Sequence, residues 1–325
     1  MKGVQYPIDA VITWVDGEDP KHKAKRMRYG KESIFQAEDI AGDTRYTSIG
    51  EIFYCVASLN RYAPWLNKIY IVTDEQDPKL DEFIAEHFPE KHIPIEIVDH
   101  KTIFKGYEEY LPTFNSISIE SMTWRIPGLS EHFIEFNDDF ILTAPVSPDD
   151  FFTPDGNVVC YGMKYNSFLV RLSRMLKYRK DGSKKVTFKE TMLNAASLLG
   201  KHRFFIKMYH TPRGLLKSVY EKFFDGHPEH LTRNIAHRFR EHTQYNPQEV
   251  QFLLLYRAGK CELRDAHENL MYLKPKHNIE YTKKKLARFT SKPDCKFGCF
   301  NSVDQAEEQE RKLIIDWIKK RIGLK

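Results

Sequence analysis

The run His132-Phe133-Ile134-Glu135-Phe136-Asn137-Asp138-Asp139-Phe140-Ile141-Leu142-Thr143 decides how this chain is read. Phe133, Ile134 and Phe136 predict a strand buried on both faces, which leaves Asn137-Asp138-Asp139 at its end. Neighbouring carboxylates repel each other unless a cation or strong donors face them, and a hard cation such as Mg²⁺ prefers carboxylate oxygen. The stretch therefore reads as a metal-and-phosphate site. The same tripeptide also reads as a polar turn, because Asn and Asp bond to their own backbone. A short motif alone does not separate the two readings.

Other strand ends in the chain repeat the pattern. Ile8 to Val15 predicts a first strand, followed by Asp16-Gly17-Glu18-Asp19-Pro20, where Gly and Pro turn the chain. Ser48 and Glu51 have capping-box spacing, and Ile49, Ile52, Phe53, Val56 and Leu59 follow the helical period until Ala63-Pro64. Lys68 to Thr73 is the next strand, ending in Asp74; Leu80 to Phe88 is a helix; Ile93 to Val98 is a third strand ending at Asp99. Pro94 confines that strand to an edge or a strand start. Strands alternating with helices predict an α/β fold, a mostly parallel Rossmann-like sheet with helices on both faces, which binds ligands at the carboxyl ends of its strands. Asp favours turns everywhere, so about half of these acids are expected to be structural caps, Asp99 first among them.

The 325 residues carry 50 Lys+Arg against 45 Asp+Glu, and this net charge of +5 is too small to imply a nucleic-acid partner. With 41% hydrophobic residues the chain can bury a large core. No apolar run approaches the ~20 residues of a membrane span, and Met1 to Pro7 lacks the apolar centre of a signal peptide, so a cytoplasmic protein is expected. Five scattered cysteines suit reduced thiols, and Cys295 and Cys299 lack a second pair at zinc spacing. There is no glycine-rich nucleotide loop, and no organic cofactor is expected.

Between the third and fourth strands, Leu111-Pro112-Thr113-Phe114-Asn115-Ser116 leads into a short helix, with Glu120 and Trp124 on one face and Arg125 in its last turn. Arg125 also reads as a cation at a helix C-terminus. Residues 163–205 read as a basic helical insertion or lid, overlapping a Lys-, Arg- and His-rich stretch from Arg171 to Lys217 that suits an anionic acceptor. His210 precedes a helix from Leu215 to Phe224, and His237 lies in Arg233-Asn234-Ile235-Ala236-His237-Arg238-Phe239-Arg240. Both stand near Arg in segments of mixed polarity. Residues 306–325 form an amphipathic helix, with Leu313, Ile314, Trp317, Ile318 and Ile322 in one stripe and Arg321 intruding into it. That helix either docks on the core or lies peripherally on the inner membrane, with Arg321 reaching outward along the apolar surface in the second case.

Four blocks in order carry a resemblance: Ile8 to Gly17; Arg45-Tyr46 through Tyr62-Ala63-Pro64-Trp65, Ile71 to Asp74, Leu111 to Ser116 and Arg125-Ile126-Pro127-Gly128-Leu129 to Asp139; His210-Thr211-Pro212 with His237 to Arg240; and Lys296 to Asn301. The chain resembles the Stealth family of sugar-1-phosphate transferases along more than half its length. The resemblance implies a single catalytic domain over residues 1–325. It would pass hexose-1-phosphate or N-acetylhexosamine-1-phosphate from a nucleotide sugar to a sugar hydroxyl of a glycan acceptor, assisted by Mg²⁺ or Mn²⁺, with UMP leaving a UDP-linked donor. The family's fourth block usually reads Asn-Asp, and here Ser302 follows Asn301.

Such chemistry needs charge neutralised on phosphate oxygens and the attacking hydroxyl deprotonated. Asp138 and Asp139 are expected to hold the metal. Arg238, Arg240 and Arg45 would donate to the oxygens, a task suited to planar guanidinium. His210 is the choice for general base, with His237 second. Asn115 and Glu120 would orient the sugar, and Asp16, Asp74, Arg125, Asn137 and Asn301 complete the expected substrate site. Two other readings stay open: a metal-dependent glycosyltransferase releasing UDP, and a non-catalytic binder of anionic glycan.

Overall fold

A computed structural model describes residues 6–30, 49–173, 186–200 and 203–324. The first half is strand and helix in turn: β1 (Ile8–Thr13), α1 (Pro20–Gly30), α2 (Glu51–Tyr62), β2 (Ile69–Thr73), α3 (Leu80–His87), β3 (Ile95–Asp99), α4 (His100–Ile103), α5 (Ser116–Glu120) and β4 (His132–Asn137). There follow β5 (Phe140–Leu142), β6 (Val158–Asn166), α6 (Phe188–Leu198), β7 (Phe204–Met208), β8 (Arg213–Leu216), α7 (Lys217–Gly226), α8 (Pro228–Ile235) and α9 (Pro247–Arg257). The chain continues through β9 (Cys261–Arg264), β10 (Leu270–Leu273), α10 (Ile279–Thr290), β11 (Phe297–Phe300) and α11 (Glu308–Ile322).

The main sheet has the order β3-β2-β1-β4-β8, with β8 alone antiparallel. All five residues of β2 and the first five of β1 are buried, as expected of central parallel strands covered on both faces. The strand after Pro94 is the edge strand, and the Asp99 carboxylate caps the helical turn behind it by accepting from the Lys101 N–H at 2.8 Å. Two smaller sheets, β10-β11-β5 and β7-β6-β9, flank the main one. Helix α2 joins two cores: Ile52, Cys55, Val56 and Leu59 pack into the main one, and Ala57 into a second one shared with α10, β11 and α11.

Several local expectations give way here. Helix α2 starts at Glu51, whose carboxylate accepts from the Ile49 N–H at 2.7 Å; Ser48 and Arg45 lie outside the described residues. Leu215 and Leu216 belong to β8 rather than to the start of α7, because residues 213–216 pair antiparallel with β4, in a place where a Cβ on Gly214 would stand 2.6 Å from the Phe151 carbonyl oxygen. Of the expected insertion, residues 163–166 prolong β6, α6 buries Met192, Leu193, Ala195 and Ala196, and residues 174–185 lie outside the described set.

The C-terminal stripe is not available to a membrane. Ile314, Ile318 and Ile322 are buried, Trp317 packs near Phe289 and Phe300, and its indole N–H donates to Thr290 Oγ1 at 2.8 Å. Arg321 reaches inward rather than outward, donating to the carbonyls of Thr143 (2.6 Å), Lys292 (2.8 Å) and Pro293 (2.6 Å). Its position in the stripe is explained by those three acceptors. Among the described residues no helix is long and apolar enough to cross a membrane. Arg321→Leu should destabilise the chain by about 1–3 kcal/mol, since carbonyls lose charged donors. Urea denaturation checks this, and an unchanged midpoint would show the contacts to be dispensable. Truncation after Gln305 should give an unfolded or insoluble chain.

Candidate functional site

In the main sheet the strand order reverses at β1: β2 and β3 lie on one side of it and β4 on the other. Such a switch point leaves a crevice at the carboxyl ends of the two strands. The register pairs Thr13 with Asn137, so Trp14 to Asp16 and Asn137-Asp138-Asp139 flank that crevice.

The acidic turn is gripped from the far end of the chain. Strand β5 leaves it at once and pairs antiparallel with β11, Phe140 opposite Cys299. The Phe300 N–H then donates to the Asp139 carbonyl at 3.1 Å, and Asn301 Nδ2 and Cys299 Sγ approach Asp139 Oδ2 at 3.4 and 3.7 Å. The other carboxylate oxygen of Asp139 is buried without a protein partner. Burial raises the pKa of Asp138 well above the carboxylate range, and the charges of Glu51 and Asp139 raise it further. Burial likewise raises Asp139, against the pull of Asn301, Cys299 and Arg213. Glu51, in the first turn of α2, is raised by burial and by Asp139 and Asp304. Four carboxyl groups thus share one neighbourhood. The sequence marks Glu51 only as a cap, and Asp304 carried no signal.

These groups suit a hard cation. Among the described residues, only His227, Glu229 and His230, on the surface where α7 meets α8, bring three donor atoms within 4.8 Å of one another. The acidic turn is no such cage. All five cysteines are free, and Cys299 faces Asp139 rather than Cys295.

Arg213 is the cation of the site. It stands opposite Glu135 in the β8–β4 pairing, 3.4 Å from its carboxylate, with both side chains buried. Burial, then the charge of Glu120, pushes Glu135 up to about 8. The Arg213 guanidinium lies 5.7 Å from the ring centres of both Phe140 and Phe188. His210 lies between Phe188 and Tyr272, with ring centres at 5.8 and 5.1 Å. Crowding by neighbours lowers its pKa, and Arg213 and Lys207 lower it further; the exposed edge of the ring lets solvent moderate the shift. Tyr272 is paired with Cys299 between β10 and β11, and Cys299 approaches Asp139, so Tyr272 links His210 to the acidic turn.

His237, Arg238 and Arg240 belong to a second group. The Phe114 N–H donates to the Arg238 carbonyl (2.9 Å), Asn115 Nδ2 to the His237 carbonyl (3.0 Å), and Arg240 to Ser116 Oγ (2.8 Å). Arg238 covers the Tyr29 ring of α1 at 4.8 Å. These residues pack against α1, the helix that follows the carboxyl end of β1.

Other expected residues turn out to serve the protein. Asn115 is wholly buried: its oxygen caps α5 at Ile117 and its amide also donates to Gln244 Oε1. Glu120 is buried and accepts from Gln248, which also donates to Glu135. Both side chains are buried and hydrogen-bonded within the protein rather than turned toward a sugar. Arg125 donates to the carbonyls of Ile103 and Lys105, both at 2.7 Å, and so caps α4 rather than meeting substrate. Asp16 and Asp74, by contrast, stay at the strand ends beside the crevice, Asp16 binding the Glu18 N–H in a local turn and Asp74 pairing with Lys25 at 3.2 Å.

Residues 6–34 match Stealth protein CR1, conserved region 1, and residues 45–160 match CR2, conserved region 2. The chain belongs to the Stealth family. It is similar to an exopolysaccharide phosphotransferase of Streptomyces coelicolor, 37% identical over 260 residues, 78% of this chain and 44% of that protein. A capsular polysaccharide phosphotransferase of Haemophilus influenzae is 33% identical over 245 residues, covering 74% and 62%. One of Streptococcus pneumoniae is 43% identical over 149 residues, covering 46% and 42%. The chain thus spans about half the length of these Stealth relatives. Among solved structures, a galactosyltransferase aligns over 97% of this chain and 95% of its own at 8% identity with a TM-score of 0.46.

Glu51→Gln should relieve repulsion in this Stealth chain while keeping an acceptor for Ile49. In chelator, thermal unfolding should shift upward by the equivalent of about 1 kcal/mol, the size of one charge contact. The additional rise on adding Mn²⁺ should shrink. A lower melting point in chelator would mean that Glu51 is not repelled by the turn.

Proposed function

We propose that this chain transfers a sugar-1-phosphate from a nucleotide sugar to a sugar hydroxyl of a growing surface glycan, releasing a nucleoside monophosphate, UMP for a UDP-linked donor. The observation that carries the reading is the convergence of Asp138, Asp139, Glu51 and Asn301 at the switch point of the sheet, with Arg213 and His210 beside them. It is supported by the phosphotransferase names of the relatives.

A bound Mg²⁺ or Mn²⁺, held by Asp138 and Asp139, would neutralise charge on the pyrophosphate. The unpartnered oxygen of Asp139 and the mutual repulsion of the acids fit that role. Asp16, Asp74 and Asn137 border the donor at the strand ends. Arg238 and Arg240, with Arg45, donate to phosphate oxygens. The acceptor oxygen attacks the phosphorus next to the sugar, the bridging P–O bond breaks toward the nucleotide, and the hydroxyl proton passes to His210. With its pKa lowered, His210 is neutral at neutral pH and able to take that proton.

Incubation with a panel of nucleotide sugars, Mg²⁺ and a glycan acceptor tests the reading, with nucleotide products separated by chromatography. UMP supports it; UDP would make the chain a glycosyltransferase. Asp138→Asn and Asp139→Asn should each lower turnover about a hundredfold or more, the cost of losing charge stabilisation at a transferring phosphoryl group. His210→Ala should lose most transfer with donor affinity within a few-fold. A base that works neutral is active above its own pKa and lost as pH falls through it. The acid limb of the pH–rate profile should therefore lie below the ordinary imidazole value of about 6.5, and a limb above it would remove His210 from the role.

A further inference from the structure

On either side of His210 the surface alternates aromatic rings with lysines. On one side His210 neighbours Phe188, and Lys189, the next residue of α6, lies with Lys207 over the Tyr165 ring, at 5.4 and 5.2 Å. On the other side His210 neighbours Tyr272, whose ring carries Lys285 at 5.8 Å. Lys285 also lies 5.3 Å from the Tyr281 ring and donates to its hydroxyl at 3.0 Å. The outer ammonium of Lys276 covers the opposite end at 4.6 Å from Tyr281. These side chains come from β6, α6, β7, β10, α10 and the connections that carry His210 and Lys276, so tertiary packing alone gathers them.

The chemistry of such a strip is specific. Aromatic rings offer flat apolar faces to the apolar faces of sugar rings. An ammonium resting on a ring is held in place by the quadrupole, and its three donors leave hydrogens to spare for an anion even where one is given to a neighbouring hydroxyl. A neutral glycan would need the rings without the lysines, and a bare polyanion the lysines without the rings. We infer that this strip is the acceptor track, and that it takes a glycan whose backbone already carries phosphodiester charges, so that the chain lengthens an anionic polymer of its own product class. The inference rests on the phosphotransfer reading for the role of His210 at its centre. The charges would lie on Lys207 and Lys189 to one side and Lys285 to the other, with the attacking hydroxyl between them.

The test uses the full chain and a phosphodiester-linked oligosaccharide beside its uncharged counterpart. Binding is measured first by calorimetry without donor. The charged oligosaccharide should bind about tenfold more tightly than the neutral one, and the advantage should shrink between about 50 and about 500 mM salt as the charges are screened. In the double variant Lys207→Gln, Lys285→Gln the advantage should vanish while neutral binding stays within about twofold. In steady-state assays the same variant should raise KM for the charged acceptor and leave KM for the donor unchanged. Equal affinity for the two oligosaccharides, or an unchanged advantage in the double variant, would overturn the track. Charge-selective binding with no nucleotide released from any donor would refute phosphotransfer and leave the track standing; turnover with no preference for charge would do the reverse.

Discussion

The hydrogen bond from the Phe300 N–H to the Asp139 carbonyl holds together what the rest of the molecule arranges. Strand β4 delivers Asn137-Asp138-Asp139 to the carboxyl end of the main sheet, and β5 leaves immediately for a different sheet. A turn shared by two sheets cannot relax away from the crevice without breaking one of the pairings. Two adjacent acids, which by themselves would move apart or protonate, are therefore kept side by side. Asn301 and Cys299 follow as a consequence, since they flank Phe300 and must meet whatever the turn presents.

Opposite charge reaches this turn from inside the protein. Arg213 is fixed by antiparallel pairing with Glu135, by the rings of Phe140 and Phe188, and by the close approach of Gly214 to Phe151. Glu135 continues through Gln248 to Glu120, a polar chain running beneath the site in the core. Burial penalises every member of it, and breaking the Arg213–Glu135 pair would leave an uncompensated group in the interior. The same guanidinium pulls Asp139 downward and pushes His210 toward its neutral form. One buried cation thus bears on both the acids and the imidazole.

The C-terminal helix shows how one polar residue decides between two apolar surfaces. A stripe of Ile314, Ile318 and Ile322 would suit lipid or protein equally. Arg321 has three backbone carbonyls to satisfy it and accepts the Tyr62 hydroxyl on its own carbonyl at 2.6 Å. Those acceptors belong to the protein, so the stripe faces the second core.

The sequence by itself determined the alternation of β1, α2, β2, α3 and β3, the strand into Asn137, the cap at Asp99 and the acids at the strand ends. These rest on periodicity and turn chemistry, which act between residues close along the chain. The tertiary structure decided which of those polar residues meet. Strands β5, β8, β10 and β11 have three or four residues each, too few for a periodic signal, and their partners lie far off in sequence. Glu51 joins Asp138 only because α2 packs beside the β4 turn, and Arg213 comes within electrostatic reach of Asp139 only because β8 closes the sheet antiparallel. Asn115, Glu120 and Arg125 have the composition of a binding site, but burial gives their hydrogen bonds to the backbone and core. Whether a polar side chain is spent on the protein or left for a ligand depends on burial, and burial is fixed by packing between segments distant along the chain.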